Sequence, residues 1–168
     1  VVEVNDVSYS YGDTQALRGV SLVLNPGTTT ALIGPSGSGK STLATLIARF
    51  DDPESGSIRL GGVDLRDISS RDLYNMVSFV LQDPMLINAS IGRNISLAKP
   101  EASLEEIREA ARTAQIDDFI MSLPKGYDSV LGTDCSLSGG ESQRVSIARA
   151  LLADTPILIM DEATAFAD

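Results

Sequence analysis

The 168-residue sequence contains no histidine. A histidine base, a Ser-His-Asp triad and histidine metal ligands are thereby excluded. Its one cysteine, Cys135, has no partner for an internal disulfide, so stability must come from packing, as suits a reducing compartment. No apolar run reaches the ~18–20 residues of a membrane-spanning helix. The first residues, Val1-Val2-Glu3-Val4-Asn5-Asp6, lack the basic and apolar regions of a signal peptide. Cations are also scarce: 13 Lys and Arg stand against 23 Asp and Glu, a net charge of −10, which argues against a nucleic-acid-coating surface and leaves nucleic acid out as a partner. A nucleotide ligand survives that argument, because backbone amides and one or two cations hold phosphate locally. What is present is ordinary for a soluble globular domain, 43% hydrophobic and 21% charged, in a chain long enough to bury a substantial core. Any membrane role would therefore use a partner or further sequence.

Along the chain, strands and turns occupy the first 33 residues. Val20–Leu24 ends at the turn signal Asn25-Pro26-Gly27, and Thr28–Ile33 reads as a strand. A Gly-rich loop and a helix over Ser41–Phe50 follow, with Leu43, Leu46, Ile47 and Phe50 at helical spacing. Ser57–Leu60 is a short strand and Val77–Leu81 a buried one. Leu104–Ile120 is read as a single helix opened by a Ser103/Glu106 capping box, and Glu141–Ala153 as another. Ile157–Met160 reads as a buried parallel strand. The alternation predicts an α/β layer fold with a helical insertion between about Asp83 and Leu152.

Gly34-Pro35-Ser36-Gly37-Ser38-Gly39-Lys40-Ser41 matches G-x-x-x-x-G-K-[ST]. Glycines let the backbone curl so that successive N–H groups point at an anion, and the following helix adds its positive end. Lys40 supplies a mobile cation for the β- and γ-phosphates, and the Ser41 hydroxyl suits Mg²⁺. A dinucleotide-binding loop is disfavoured, since Gly37-x-Gly39 is not followed by a third glycine three residues on.

Two further elements gain meaning beside that loop. The run Ile157–Met160 ends in Asp161-Glu162; in a phosphate-loop fold Asp161 would face Mg²⁺ through water and Glu162 could polarise an attacking water. Leu137-Ser138-Gly139-Gly140-Glu141-Ser142-Gln143 opens a helix. It is either a turn with an N-cap serine or a second phosphate-binding helix end.

Taken in order, these motifs closely resemble the ATP-binding-cassette (ABC) nucleotide-binding domains over essentially all 168 residues. The loop is similar to their Walker A motif, Leu137–Gln143 to their LSGG signature, and Met160-Asp161-Glu162 to the end of Walker B. Gln82 resembles the Q-loop glutamine, Tyr11 the aromatic residue that stacks on adenine, and Ala165-Phe166-Ala167-Asp168 the D-loop. By the residues alone, Tyr11 also reads as a surface-packing residue and Gln82 as a turn residue. Gln82-Asp83-Pro84, Asn88–Ile95 and Asp161-Glu162-Ala163-Thr164 are similar to the exporter-type subgroup, and the last six residues to siderophore-associated members. Gly132–Ser136 departs from the usual exporter loop before the signature.

The resemblance implies a P-loop NTPase core with an N-terminal antiparallel β subdomain and a helical insertion. Residues 1–82 and 155–168 would form the core and β subdomain, and residues 83–154 the helical subdomain with the signature. It implies ATP and Mg²⁺ as ligands. Tyr11, Gly34, Pro35, Ser36, Gly37, Ser38, Gly39, Lys40, Ser41 and Thr42 would hold nucleotide, with Ser138, Gly139, Gly140 and Glu141 serving the nucleotide of a second cassette. Ser41, Gln82 and Asp161 would serve the metal, and Glu162, Gln82 and Lys40 catalysis. Measured against the family pattern, the later strands and a histidine that contacts the γ-phosphate are missing, so a cassette without its C-terminal part, binding nucleotide but turning it over poorly, is expected. The implied function is the ATPase motor of an exporter-type transporter, paired head to tail with a second cassette, with transmembrane domains fused or associated, on the cytoplasmic face of a bacterial inner membrane. A soluble ABC-type ATPase of DNA repair, chromosomes or translation, and a non-hydrolysing regulatory cassette, stand as alternatives.

Overall fold

Strands β1 (Val2–Tyr11) and β2 (Thr14–Leu24) form an antiparallel hairpin closed by Gly12-Asp13, with Gly12 supplying the positive φ of the turn. In this computed structural model, residues 1–161 are described. Glu162 and the D-loop-like Ala165-Phe166-Ala167-Asp168 lie outside the described residues. β3 (Ser55–Leu60) pairs antiparallel with β1, and β4 (Val63–Asp64) with β3, giving the sheet order β2-β1-β3-β4. Val2 and Val4 are buried in alternation, and the register then shifts so that Val7 is buried as well. The shift is a bulge at Asp6, whose φ is 50°. A Cβ on Gly56 would lie 2.4 Å from the Asp6 carbonyl oxygen, so only glycine fits opposite the bulge.

Helix α1 (Lys40–Ile47) follows the Gly-rich loop. It stops three residues before the expected Phe50 because Arg49 turns left-handed (φ 54°). There Phe50 N–H bonds the Thr45 carbonyl and Arg49 N–H the Leu46 carbonyl, the paired bonds of a Schellman stop. The Arg49 side chain is used too: Nη1 donates to the carbonyls of Leu65 (2.6 Å) and Ile68 (2.7 Å), tying the helix end to the turn after β4.

Thr28–Ile33 is not a strand. The segment is irregular and exposed throughout, with Ile33 at 93% exposure. Its β-branched composition favours a pleat, yet a strand needs a neighbour to take its N–H and C=O groups. None of the four strands β1–β4 pairs with it.

Contacts divide the chain into two compact units, Val1–Asn75 and Met76–Asp168. In the second, β5 (Val77–Val80) and β6 (Ile157–Met160) form a parallel pair in register Val77↔Ile157 to Val80↔Met160. β6 is only half-buried, with Leu158 and Met160 on an exposed face, rather than the fully buried strand its apolar run predicts. The remaining elements are helical: α2 (Ser70–Tyr74), at the end of the first unit, then α3 (Ile91–Ile95), α4 (Leu104–Thr113), α5 (Asp117–Ser122) and α6 (Gly139–Ala153). The predicted Leu104–Ile120 helix is thus two helices. Gln115 adopts φ 59°, and Ile116 N–H bonds Ala111 O while Gln115 N–H bonds Arg112 O, a second Schellman stop. The side-chain periodicity misses this break because the buried Ile116 and Ile120 continue on the core side after it. The core of this unit gathers Ile91, Ile95, Ala111, Ile116, Ile120 and Val145.

One buried carboxylate pins α5 to that core. Asp117, 8% exposed, accepts from the Tyr127 hydroxyl at 2.6 Å and from Arg108 at 3.4 Å. Burial works to raise its pKa, but the Tyr127 hydroxyl and the Arg108 and Arg112 guanidiniums together hold it below the usual carboxylate value. A depressed folded-state pKa contributes stability above the unfolded value, near pH 4, that is lost as pH falls. Tyr127→Phe is expected to lower stability by about 1–2 kcal/mol at pH 7. The deficit should shrink as the pH falls below the ordinary carboxylate range and Asp117 takes up a proton. Urea melts of both proteins at pH 7 and below that range check it.

Candidate nucleotide site

The phosphate loop is built by its glycines. Gly37 (φ 77°) and Gly39 (φ 89°) take left-handed conformations, and Ser38 N–H closes a turn on the Pro35 carbonyl at 3.2 Å. Residues 31–38 are exposed, so Gly34, Pro35, Ser36, Gly37 and Ser38 present their backbone to solvent. Gly39 occupies the N-cap position of α1, makes no side-chain cap, and no acidic residue lies in the first turn. The positive end of the helix dipole is therefore not compensated by a capping side chain or a first-turn acid, as suits an anion from outside the helix. Lys40 Nζ curls back to the carbonyls of Gly34 and Pro35 (both 2.9 Å) and to Ser38 Oγ (3.3 Å). Those oxygens lie where an ammonium can exchange them for phosphate oxygens. Ser41 is exposed beside it, whereas Thr42 is 8% exposed.

The hairpin fixes this loop from behind. A Cβ at Gly39 would stand 2.6 Å from Leu17 Cδ2 and 2.8 Å from the Ala16 carbonyl oxygen, both on β2. Gly39→Ala is therefore expected to cost about 1–3 kcal/mol and to weaken nucleotide binding. Gly37→Ala meets nothing within 4 Å and should cost only its backbone strain, about 1 kcal/mol. Thermal melts and nucleotide titrations of the pair check the contrast. At the hairpin's far end Tyr11 is 56% exposed and meets Tyr9 edge to face, centroids 5.0 Å apart. Tyr9 donates its hydroxyl to Asp51, which pushes the phenol pKa up to about 12. Tyr11 stays more than half exposed beside that anchored ring.

In the second unit, Gln82 and Asp161 leave the same carboxyl end of the β5–β6 pair, where Asp161 N–H continues the ladder to the Val80 carbonyl at 3.0 Å. Open α/β sheets bind ligands at such ends. Gln82 is exposed and Asp161 partly so. Among the described residues, no group of three or more His, Cys, Asp or Glu residues suits a metal. Ser138 is the N-cap of α6 in a full capping box: its Oγ accepts from Glu141 N–H at 3.3 Å, and Glu141 Oε2 accepts from Ser138 N–H at 2.7 Å. The helix begins at Gly139, two residues before the expected start, and Ser138 and Gly139 are exposed. Glu141 thus holds its own helix end, an intramolecular task beside any contact with nucleotide.

A family model described as "ABC transporter" matches residues 17–165. The chain belongs to the ABC transporter family. The ABC domain is 59% identical over 168 residues to the "Mycobactin import ATP-binding/permease protein IrtA" of Mycolicibacterium smegmatis, covering 99% of this chain and 20% of that protein. It is 48% identical to the "ATP-dependent lipid A-core flippase" of Desulfotalea psychrophila, over 99% of this chain and 29% of that one. Among solved structures it matches "a bacterial Atm1-family ABC exporter with ATP bound" with a TM-score of 0.94 and 43% identity, over 99% of this chain and 30% of that chain. The ABC domain therefore spans roughly a fifth to a third of these relatives' lengths.

The buried Asn94 and Gln143 and the partly buried Arg149 did not figure among the candidate site residues. Arg149 and Gln143 lie in the middle of a helix whose polar positions look solvated.

Proposed function

We propose that the chain is the ATP-binding and ATP-hydrolysing motor domain of an exporter-type ABC transporter. The observation that carries this is the phosphate loop: a left-handed Gly39 at an uncapped helix start, with Lys40 folded over the loop's own oxygens. The first-turn amides and Lys40 would bind the β- and γ-phosphates, and Tyr11 would stack on the base. Ser41, Gln82 and Asp161 are the residues proposed to hold Mg²⁺, which when bound would neutralise charge on the phosphate oxygens. Glu162 would hold the proton taken from the attacking water. Ser138, Gly139 and Gly140 would complete the shell around the γ-phosphate bound to a second cassette, head to tail. Closure would then follow ATP binding and opening would follow hydrolysis.

In this reading residues 83–154 form the helical subdomain, and residues 1–82 with 155–168 the core. The complete protein would work at the cytoplasmic face of a bacterial inner membrane with transmembrane domains fused or associated. The 59% relative named for mycobactin import supports a siderophore as the class of cargo. Between Gln82 and Leu137 the helices run to 5, 10 and 6 residues, which disfavours the long coiled-coil insertion of chromosome and repair ATPases. Calorimetric titration with MgATP tests the claim: saturable heat is expected, and a flat titration overturns it.

A further inference from the structure

α6 carries two polar side chains that reach the chain on either side of Gln82. Gln143, 2% exposed, donates from Nε2 to the Leu81 carbonyl at 3.3 Å. Arg149 donates from Nη1 to the Met85 carbonyl at 2.9 Å and from Nε to the Asn94 carbonyl at 2.7 Å, with Nη2 at 3.3 Å from Asn94 Oδ1. Asn94 is fully buried; it accepts from Ile87 N–H at 2.9 Å and donates to the carbonyls of Ile87 and Ser90 at 3.0 and 3.1 Å. The span Gln82-Asp83-Pro84 is thus bracketed. The carbonyl before it and the carbonyl after it are both held by the helix whose first turn is Ser138–Glu141. Three residues with pinned ends, one of them proline, retain few conformations.

The burial of Gln143 sharpens the point. Its Oε1 is buried and has no hydrogen-bond partner among the described residues. A methionine would fill similar volume without that cost, so packing alone gives no reason for an amide here. The bond to Leu81 does.

We propose that Gln143 and Arg149 are positioning residues that fix Gln82 to α6, so that any displacement of Ser138–Glu141 is transmitted to Gln82. The proposal rests on the motor reading above. Its test is Gln143→Met in the complete protein, with Arg149→Lys as a second variant, because a lysine point charge cannot fork between Met85 and Asn94. For Gln143→Met the melting temperature should change little, because removing the unpaired Oε1 offsets the donor lost to the Leu81 carbonyl, and KM for ATP should stay unchanged. The kcat should fall roughly tenfold, and amide exchange at Gln82 and Asp83 should quicken. Arg149→Lys should lower kcat in the same direction at unchanged KM. A Gln143→Met kcat equal to wild type overturns the proposal, whatever the exchange shows. So does a kcat loss that comes only with a lower melting temperature and a raised KM, the signature of a merely structural role. Absence of turnover in the wild-type protein overturns the motor reading and the proposal with it, whereas wild-type turnover matched by the variant overturns the proposal alone.

Discussion

Lys40→Ala is expected to weaken MgATP binding on the order of 100-fold while leaving the fold intact. A charge-assisted hydrogen bond is worth about 1.5–3 kcal/mol, and each 1.4 kcal/mol is tenfold in affinity. Lys40 has little structural duty to lose. Its partners among the described residues are two backbone carbonyls and a serine hydroxyl on an exposed loop, all of which water can satisfy once the ammonium is gone. The helix start does not depend on it either, since Leu43 N–H bonds the Gly39 carbonyl through backbone alone. The circular dichroism melt should therefore barely move while the titration curve shifts. An arginine in its place is not a conservative substitute: it keeps the charge, but its wider planar fork does not fit where a compact ammonium meets two carbonyls 2.9 Å away. An unchanged titration for Lys40→Ala would remove the loop from its proposed role.

How much of this was legible in the sequence depends on whether the signal was local. Capping is local, and the Ser103/Glu106 box and the Ser138 cap both appear where the residues place them. The phosphate loop is local too, because the glycines at 37 and 39 dictate their own left-handed backbone. The left-handed stops at Arg49 and Gln115 are not legible, for neither residue type favours that conformation. They are selected by the hydrogen bonds they close and, at Gln115, by the burial of Ile116 against the same core as Ala111. Thr28–Ile33 fails for the opposite reason: its composition promises a strand, but a ladder partner is a property of the fold. The clasp of Gln143 and Arg149 on Leu81, Met85 and Asn94 joins positions 55 to 64 residues apart, which no periodicity reveals.

Glu162→Gln is expected to separate binding from turnover. The substitution keeps the size of the side chain and removes its charge and basicity, so an amide cannot take the proton of an attacking water. Loss of a positioned base costs between about 10² and 10⁴ in rate. ATP affinity should hold or rise slightly, because one negative charge is withdrawn from the neighbourhood of a polyanion. The β5–β6 ladder runs on through Asp161 N–H to the Val80 carbonyl, and Glu162 is the next residue in the sequence. Asp161→Asn makes the informative contrast. If Asp161 serves the metal, its loss should be partly offset by raising Mg²⁺, whereas no Mg²⁺ concentration should restore Glu162→Gln. Steady-state ATPase assays across a Mg²⁺ series, paired with nucleotide titrations on the complete protein, separate the two carboxylates. Near-normal turnover in Glu162→Gln would strip that residue of its role as base, and an Mg²⁺-dependent rescue of it would exchange the two assignments.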